Sequence, residues 1–343
     1  PFKVPSLEET INHPSYGSTV WALEPHRSGL CPAAQDRGGP INIAWEIHGD
    51  GPIKLVLISG LAGVLASWQR QTRYFGHDHG SRYSVLILDN RGMGRSDKPL
   101  GRYTTSGMAR DVLDVIDHVG WGGDARDIHL VGISMGGMIA QEVACLAPRR
   151  LASLSLLCTS ASVSNTTTLR EYLVERAGFL VPKSTEQSIA DTARKLFHDD
   201  WLGAPDAEDV PSPDTTPRCA AGVTYGMFDS NFQRFQAQEL AKRRAPGVFT
   251  RTGFLCQLVA VQWHSKSPQQ LKDMADAVGR ERILVMHGTD DHMITVPNGR
   301  RLIDALQPGT GMIVQNMSHA PVMDRCKWFN ELLDEKLQAW AQI

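Results

Sequence analysis

A strand that passes straight into a helix through a turn too tight for side chains restricts a chain to few architectures, and residues 128–144 carry such a turn. The run Ile128-His129-Leu130-Val131 is apolar and β-like, Gly132-Ile133-Ser134-Met135-Gly136 follows, and from Met138 to Ala144 the apolar spacing is helical. Glycines two before and two after Ser134 leave room for the backbone to cross itself. The serine hydroxyl then stands at the carboxyl end of a strand. The Met135 N–H opens the helix, where the positive end of the dipole can receive an oxyanion. Such a turn suits nucleophilic attack on a carbonyl. In a chain with 31 glycines among 343 residues, three fixed positions recur by chance in roughly one chain in five. The flanking elements and the partners of Ser134 must therefore carry the reading.

The rest of the chain alternates strands and helices. Residues 53–59 are nearly continuous apolar, as in a strand buried on both faces, and end in Gly60-Leu61-Ala62-Gly63. A helix-like segment at 65–73, a strand at 83–88, the turn Asp89 to Ser96, a helix at 106–119 and a strand at 151–158 continue the pattern. It resumes with strands at 283–286 and 312–315 and helices at 297–306 and 325–340. This order predicts a parallel sheet covered by helices on both faces. Residues 161–281 interrupt it with helical patterns at 169–179, 185–197, 231–243 and 253–264 around a Pro- and Asp-rich loop. The expected organisation is an extended arm over 1–40, with a short strand pattern at 19–23. An α/β core follows over 41–160 and 282–343, with an edge strand at 41–47, and a mostly helical cap over 161–281.

A serine hydroxyl is a poor nucleophile at neutral pH. It needs an imidazole to take its proton and a carboxylate to fix that imidazole's tautomer. The last two core strands are followed by His287-Gly288-Thr289-Asp290-Asp291-His292 and by Asn316-Met317-Ser318-His319-Ala320-Pro321. The chain order is Ser, Asp, His.

From about residue 41 to the end, outside the insertion, the chain resembles the α/β-hydrolase superfamily. The matching features are the turn Gly132 to Gly136, Asp-x-Arg-Gly-x-Gly-x-Ser at Asp89 to Ser96, Gly288-x-x-Asp291, and His319 near the C-terminus. The resemblance implies the α/β-hydrolase fold with a helical cap, Ser134 as nucleophile, His319 as base and Asp291 as acid, with Asp290 the alternative. It implies an oxyanion hole from the N–H groups of Met135 and Leu61, although this chain has Ser59-Gly60 where many relatives have His-Gly. His292 reads as a pocket or surface residue. Trp201, Tyr225, Phe228 and Phe232 are candidates for a substrate pocket in the cap, with packing on helical faces the plainer reading. The implied reaction is hydrolysis of a small to medium, largely apolar ester, lactone or thioester through an acyl-enzyme, with no cofactor or metal. A carbon–carbon bond hydrolase of the meta-cleavage type is a rival, weakened by Ala320 where those relatives commonly have tryptophan. An acyltransferase and a slow-turnover, receptor-like binding protein are the others. A serine nucleophile argues against the dehalogenase and epoxide-hydrolase branches, which use aspartate.

Composition narrows the partners. With 42% hydrophobic and 21% charged residues the chain can bury a large core, and a net charge of −2 without a basic stripe excludes nucleic acid and anionic membrane as expected partners. A small molecule is expected. The six cysteines stand singly and read as reduced, buried small hydrophobes, and His77-Asp78-His79 reads as a solvated turn rather than a metal site. No apolar run reaches the roughly 20 residues of a membrane span and no positively charged leader with an apolar block opens the sequence, so the expected compartment is cytoplasmic; a start at Pro1 rather than Met leaves room for a leader already removed. The sequons at Asn165 and Asn316 read as chance matches. Oligomeric state has no signal in the sequence.

Overall fold

The computed structural model describes residues 2–123, 125–162 and 183–342. Eight strands, β1 Arg27–Ala33, β2 Ile41–His48, β3 Ile53–Ile58, β4 Tyr83–Leu88, β5 Ile128–Ile133, β6 Leu151–Leu157, β7 Ile283–Gly288 and β8 Thr310–Val314, form one sheet in the order β1-β2-β4-β3-β5-β6-β7-β8. Pairings β1–β2 and β2–β4 are antiparallel and the others are parallel. The central strands are apolar along their whole length because both faces are covered. Val56 and Ile58 pack with the helices Thr105–His118 and Met135–Leu146, while Leu55 and Leu57 pack on the other face with Trp68, Phe75, Phe329 and Leu333. Successive side chains thus alternate between two cores, as the pleat requires.

Three expectations are corrected. The arm contributes the edge strand β1, so 41–47 becomes the second strand; Gly29 and Pro32 had broken the alternation that would have revealed it. Residues 19–23 hold only an isolated bridge from Leu23 to Cys219, and Trp21 and Leu23 instead pack with Tyr225. The helix Pro268–Val278, expected within the cap, sends Leu271, Met274, Ala275 and Val278 into the core that covers the sheet.

Between β6 and β7 the described residues contain no strand. Helices Thr185–Leu196, Asn231–Arg244 and Arg251–Trp263 each begin with a serine or threonine, Ser184, Ser230 and Thr250, whose side chain accepts the N–H three residues on. The helical pattern at 169–179 lies outside the described residues, as does the sequon at Asn165. Ile189, Ala193, Phe197, Phe232, Phe235 and Leu240 form a separate cluster that also takes in Ala320, the neighbour of His319. Among the cysteines Cys31 and Cys158 are buried as expected, but Cys145 is exposed and Cys219, Cys256 and Cys326 are half-buried. Among the described residues no helix is long and apolar enough to cross a membrane.

Candidate active site

Ser134 sits between β5 and the helix Met135–Leu146 with φ 56° and ψ −122°, a conformation that costs a non-glycine residue about 1–3 kcal/mol. The surroundings hold it there. Its N–H donates to the Leu157 carbonyl at 2.9 Å, and its carbonyl accepts from Thr159 Oγ1 at 2.7 Å and from the Gly137 N–H at 3.0 Å. A Cβ on Gly132 would lie 2.3 Å from the Gly136 oxygen, and one on Gly136 would lie 2.1 Å from the Ile58 oxygen, so both glycines are required by backbone crossing. Ser134 is half-buried and Met135 is buried at the head of its helix.

The loops after β7 and β8 bring an acid to a base. His319 Nδ1 donates to Asp291 Oδ2 at 2.7 Å, which leaves Nε2 as the basic nitrogen. Asp291 Oδ1 accepts the N–H groups of Met293 and Ile294 at 2.9 and 2.8 Å. Burial alone would push the Asp291 carboxyl up, but the charge of His319 and hydrogen bonds from His287 and His319 outweigh it and hold the group well below the usual carboxylate range. Asp290 instead lies 3.7 Å from His198, and His292 is exposed. The His319 N–H donates to the Leu196 carbonyl of the insertion at 3.1 Å.

Sequence reasoning missed His287. Its Nε2–H donates to the Ile294 carbonyl at 2.7 Å and stands 3.2 Å from Asp291 Oδ2, so it supports the acid from behind. A Cβ on Gly299 would come 2.4 Å from His287 Cβ, so a glycine makes room for the ring. The signal available was a histidine four residues before the acid, at the end of a buried strand.

The loop after β3 lies against the serine: a Cβ on Gly60 would stand 3.2 Å from Ser134 Cβ and 3.7 Å from its Oγ. The Gly63 N–H donates to the Gly60 carbonyl at 3.1 Å, closing a four-residue turn around Leu61 and Ala62. A planar trans peptide points its N–H opposite to its carbonyl. The Leu61 N–H is therefore directed away from Gly63. The Asp89 turn braces this loop, since Asp89 Oδ1 accepts the Leu65 N–H at 2.7 Å and Asn90 Nδ2 donates to the Ser59 carbonyl at 3.1 Å. Burial pushes the Asp89 carboxyl up to about 6 despite the backbone donors of Arg95 and Leu65.

The aromatic candidates divide. Phe232 has 0% exposure and so lines no open cavity, Phe228 stacks on His13 at 4.7 Å, and the Tyr225 hydroxyl accepts the Ala22 N–H at 2.8 Å. These three pack between the insertion and the N-terminal segment. Trp201 is half-buried and tilted on Phe197 at 4.5 Å. His77 is not a solvated turn: it is buried, its Nδ1 donates to the Pro217 carbonyl at 2.6 Å, and its Nε2 pairs with His48 Nδ1 at 2.9 Å. A surface cleft of about 520 Å³ beside Cys31, Arg37 and Asp114 includes none of the residues brought together here.

Asp324 offers a test of local electrostatics. Its Oδ2 accepts from Ser318 Oγ beside the base, its Oδ1 is buried without a partner among the described residues, and burial pushes the carboxyl from 3.8 up to about 6. Because the folded value exceeds the unfolded one, this group's stabilising effect is complete below pH 4 and lost as pH rises through 6. Asp324→Asn does not titrate. Its stability relative to wild type should rise by about 2–3 kcal/mol between pH 4 and pH 7, measured by urea unfolding at each pH, and a constant difference would contradict the assignment.

Comparison with known proteins places the chain in a family and a fold. A family profile described as alpha/beta hydrolase fold matches residues 54–201. A candidate carbamate hydrolase, RutD, of Pseudomonas savastanoi pv. phaseolicola is 31% identical over 277 residues, which are 77% of this chain and 96% of that protein. The 3-oxoadipate enol-lactonase 2 of Acinetobacter baylyi is 31% identical over 123 residues, 36% of this chain and 43% of that protein. The chain spans 34% to 57% of the length of other curated relatives it matches. Among solved structures, the enol-lactonase of Burkholderia xenovorans LB400 is similar with a TM-score of 0.65 at 20% identity, covering 90% of this chain and 100% of that one, a likeness of fold.

Proposed function

The chain belongs to the α/β-hydrolase family, and from that premise we propose that it is a hydrolase that cleaves a small to medium, largely apolar ester, lactone or thioester through an acyl-enzyme on Ser134. The observation that carries the reading is the 2.7 Å contact from His319 Nδ1 to a buried Asp291, which fixes the imidazole tautomer a serine nucleophile needs. His319 Nε2 takes the Ser134 proton as the hydroxyl attacks the carbonyl. The Leu61 and Met135 amides receive the oxyanion, and the imidazolium returns its proton to the leaving group. Water then repeats the cycle on the acyl-enzyme. The insertion acts as the cap, and of the four candidate aromatics Trp201 is half-buried where Tyr225, Phe228 and Phe232 are buried.

Intact-mass labelling with a fluorophosphonate tests this directly. Wild type should take up one label per chain and Ser134→Ala none. A folded wild type that stays unlabelled, with access to the site demonstrated, would overturn the reading in favour of a binding protein. Turnover is then screened on esters, lactones and thioesters. Carbamates join the panel because the relative matched over nearly its whole length is named for that chemistry. Alcohol acceptors separate hydrolysis from acyl transfer.

A further inference from the structure

The turn that presents the Leu61 N–H contains an anomaly. Ala62 occupies the left-handed region with φ 60°, at the third position of a turn where glycine or asparagine is ordinary. An alanine stays there only if its surroundings over-determine it. Both of its backbone polar groups are taken by the insertion. The Ala62 N–H donates to Gln257 Oε1 at 3.0 Å, and the Ala62 carbonyl accepts from Lys242 Nζ at 3.1 Å.

Neither side chain is there by accident of a mobile surface. Gln257 is fully buried, and its Nε2 donates to the Arg91 carbonyl at 2.9 Å, so its amide orientation is fixed at both ends. The helix carrying it, Arg251–Trp263, begins against the Asp89 turn so closely that a Cβ on Gly253 would lie 2.0 Å from the Gly92 oxygen. Lys242 is itself held by Glu239 at 2.6 Å. Two helices of the insertion therefore grip one residue of the core, immediately after Leu61.

We infer that Gln257 and Lys242 are positioning residues for the oxyanion hole, holding Ala62 left-handed so that the Leu61 N–H faces the carbonyl undergoing attack. This inference rests on the proposed role of Ser134 and Leu61. When the grip is lost, Ala62 relaxes toward negative φ, the turn opens, and the Leu61 donor leaves its direction. Ground-state substrate makes little use of that donor, whereas the tetrahedral oxyanion depends on it. Loss of an oxyanion donor costs about 10²–10³ in kcat, and displacement of one costs less.

The test uses the full chain and its best substrate from the panel above. Gln257→Met, close in shape but unable to accept the Ala62 N–H, should lower kcat about 10- to 100-fold with KM changed less than about threefold. An alkyl trifluoromethyl ketone, which forms a hemiketal oxyanion on the serine, should lose affinity by the same factor. Lys242→Met should shift both quantities in the same direction, and Lys242→Arg should recover most of the loss. A purely structural role would lower Tm without tying inhibitor affinity to kcat. If folded Gln257→Met and Lys242→Met keep kcat within threefold, or lose kcat without matching loss of inhibitor binding, the inference is overturned. If Gln257→Met does not fold, Lys242→Met decides alone. Absence of Ser134-dependent turnover in wild type would remove the hydrolase reading itself, and this role with it.

Discussion

Asp291→Asn is expected to lower kcat about 10⁴-fold at pH 7 while leaving the fold in place. The carboxylate accepts from His319 Nδ1 at 2.7 Å, from two backbone N–H groups, and lies 3.2 Å from His287 Nε2. Every neighbour is a donor. An amide in its place offers only one oxygen, and whichever way it turns, an N–H meets another donor. Turned toward His319, the amide favours the tautomer protonated at Nε2, which cannot accept a proton from Ser134. Asp290→Asn is the matched control and should change kcat less than threefold, since Asp290 faces His198 across 3.7 Å and is half-buried. Steady-state kinetics on both variants decides between the two acids. Equal losses, or a large loss for Asp290→Asn alone, would reverse the assignment.

The second large effect is on stability. Gly136→Ala should cost on the order of 4 kcal/mol in urea unfolding and abolish turnover. Its Cβ would meet the Ile58 oxygen at 2.1 Å and the Ser59 oxygen at 2.8 Å, and both are backbone atoms that cannot rotate away. Relief requires the end of β3 to retreat, taking the Gly60–Gly63 turn with it. The elbow and the oxyanion loop would separate together. A variant within 1 kcal/mol of wild type that still turns over would show that the crossing is looser than the structure describes.

What could be read in the sequence and what could not follow the range of the interactions. Ser134 and the loops of Asp291 and His319 were legible because turn chemistry is local: glycines at fixed offsets, placed after apolar runs, announce strand ends. The buried strands were legible for the same reason, since coverage on both faces leaves a continuous apolar run. The edge strand β1 was not, because a strand with one free side needs no such run and carries Gly29 and Pro32. His287 and Gln257 were invisible for another reason. Each looks like an ordinary buried polar residue until the partner brought by the fold is known, Asp291 four residues away in one case and Ala62 nearly two hundred away in the other. The aromatics of the insertion left two readings open because burial and ligand contact select the same residue types. Exposure and packing partners separate them, and composition does not.

The edge of the sheet has a bearing on how copies of this molecule meet. An open strand is an invitation to a second chain, and β1 answers it with a proline, which has no N–H to offer, and with exposed Arg27 at its start. Leu30, half exposed on the same strand, is the one apolar side chain there that would reward such an encounter. A charge and a missing donor on either side of it keep the edge from serving as a template for aggregation.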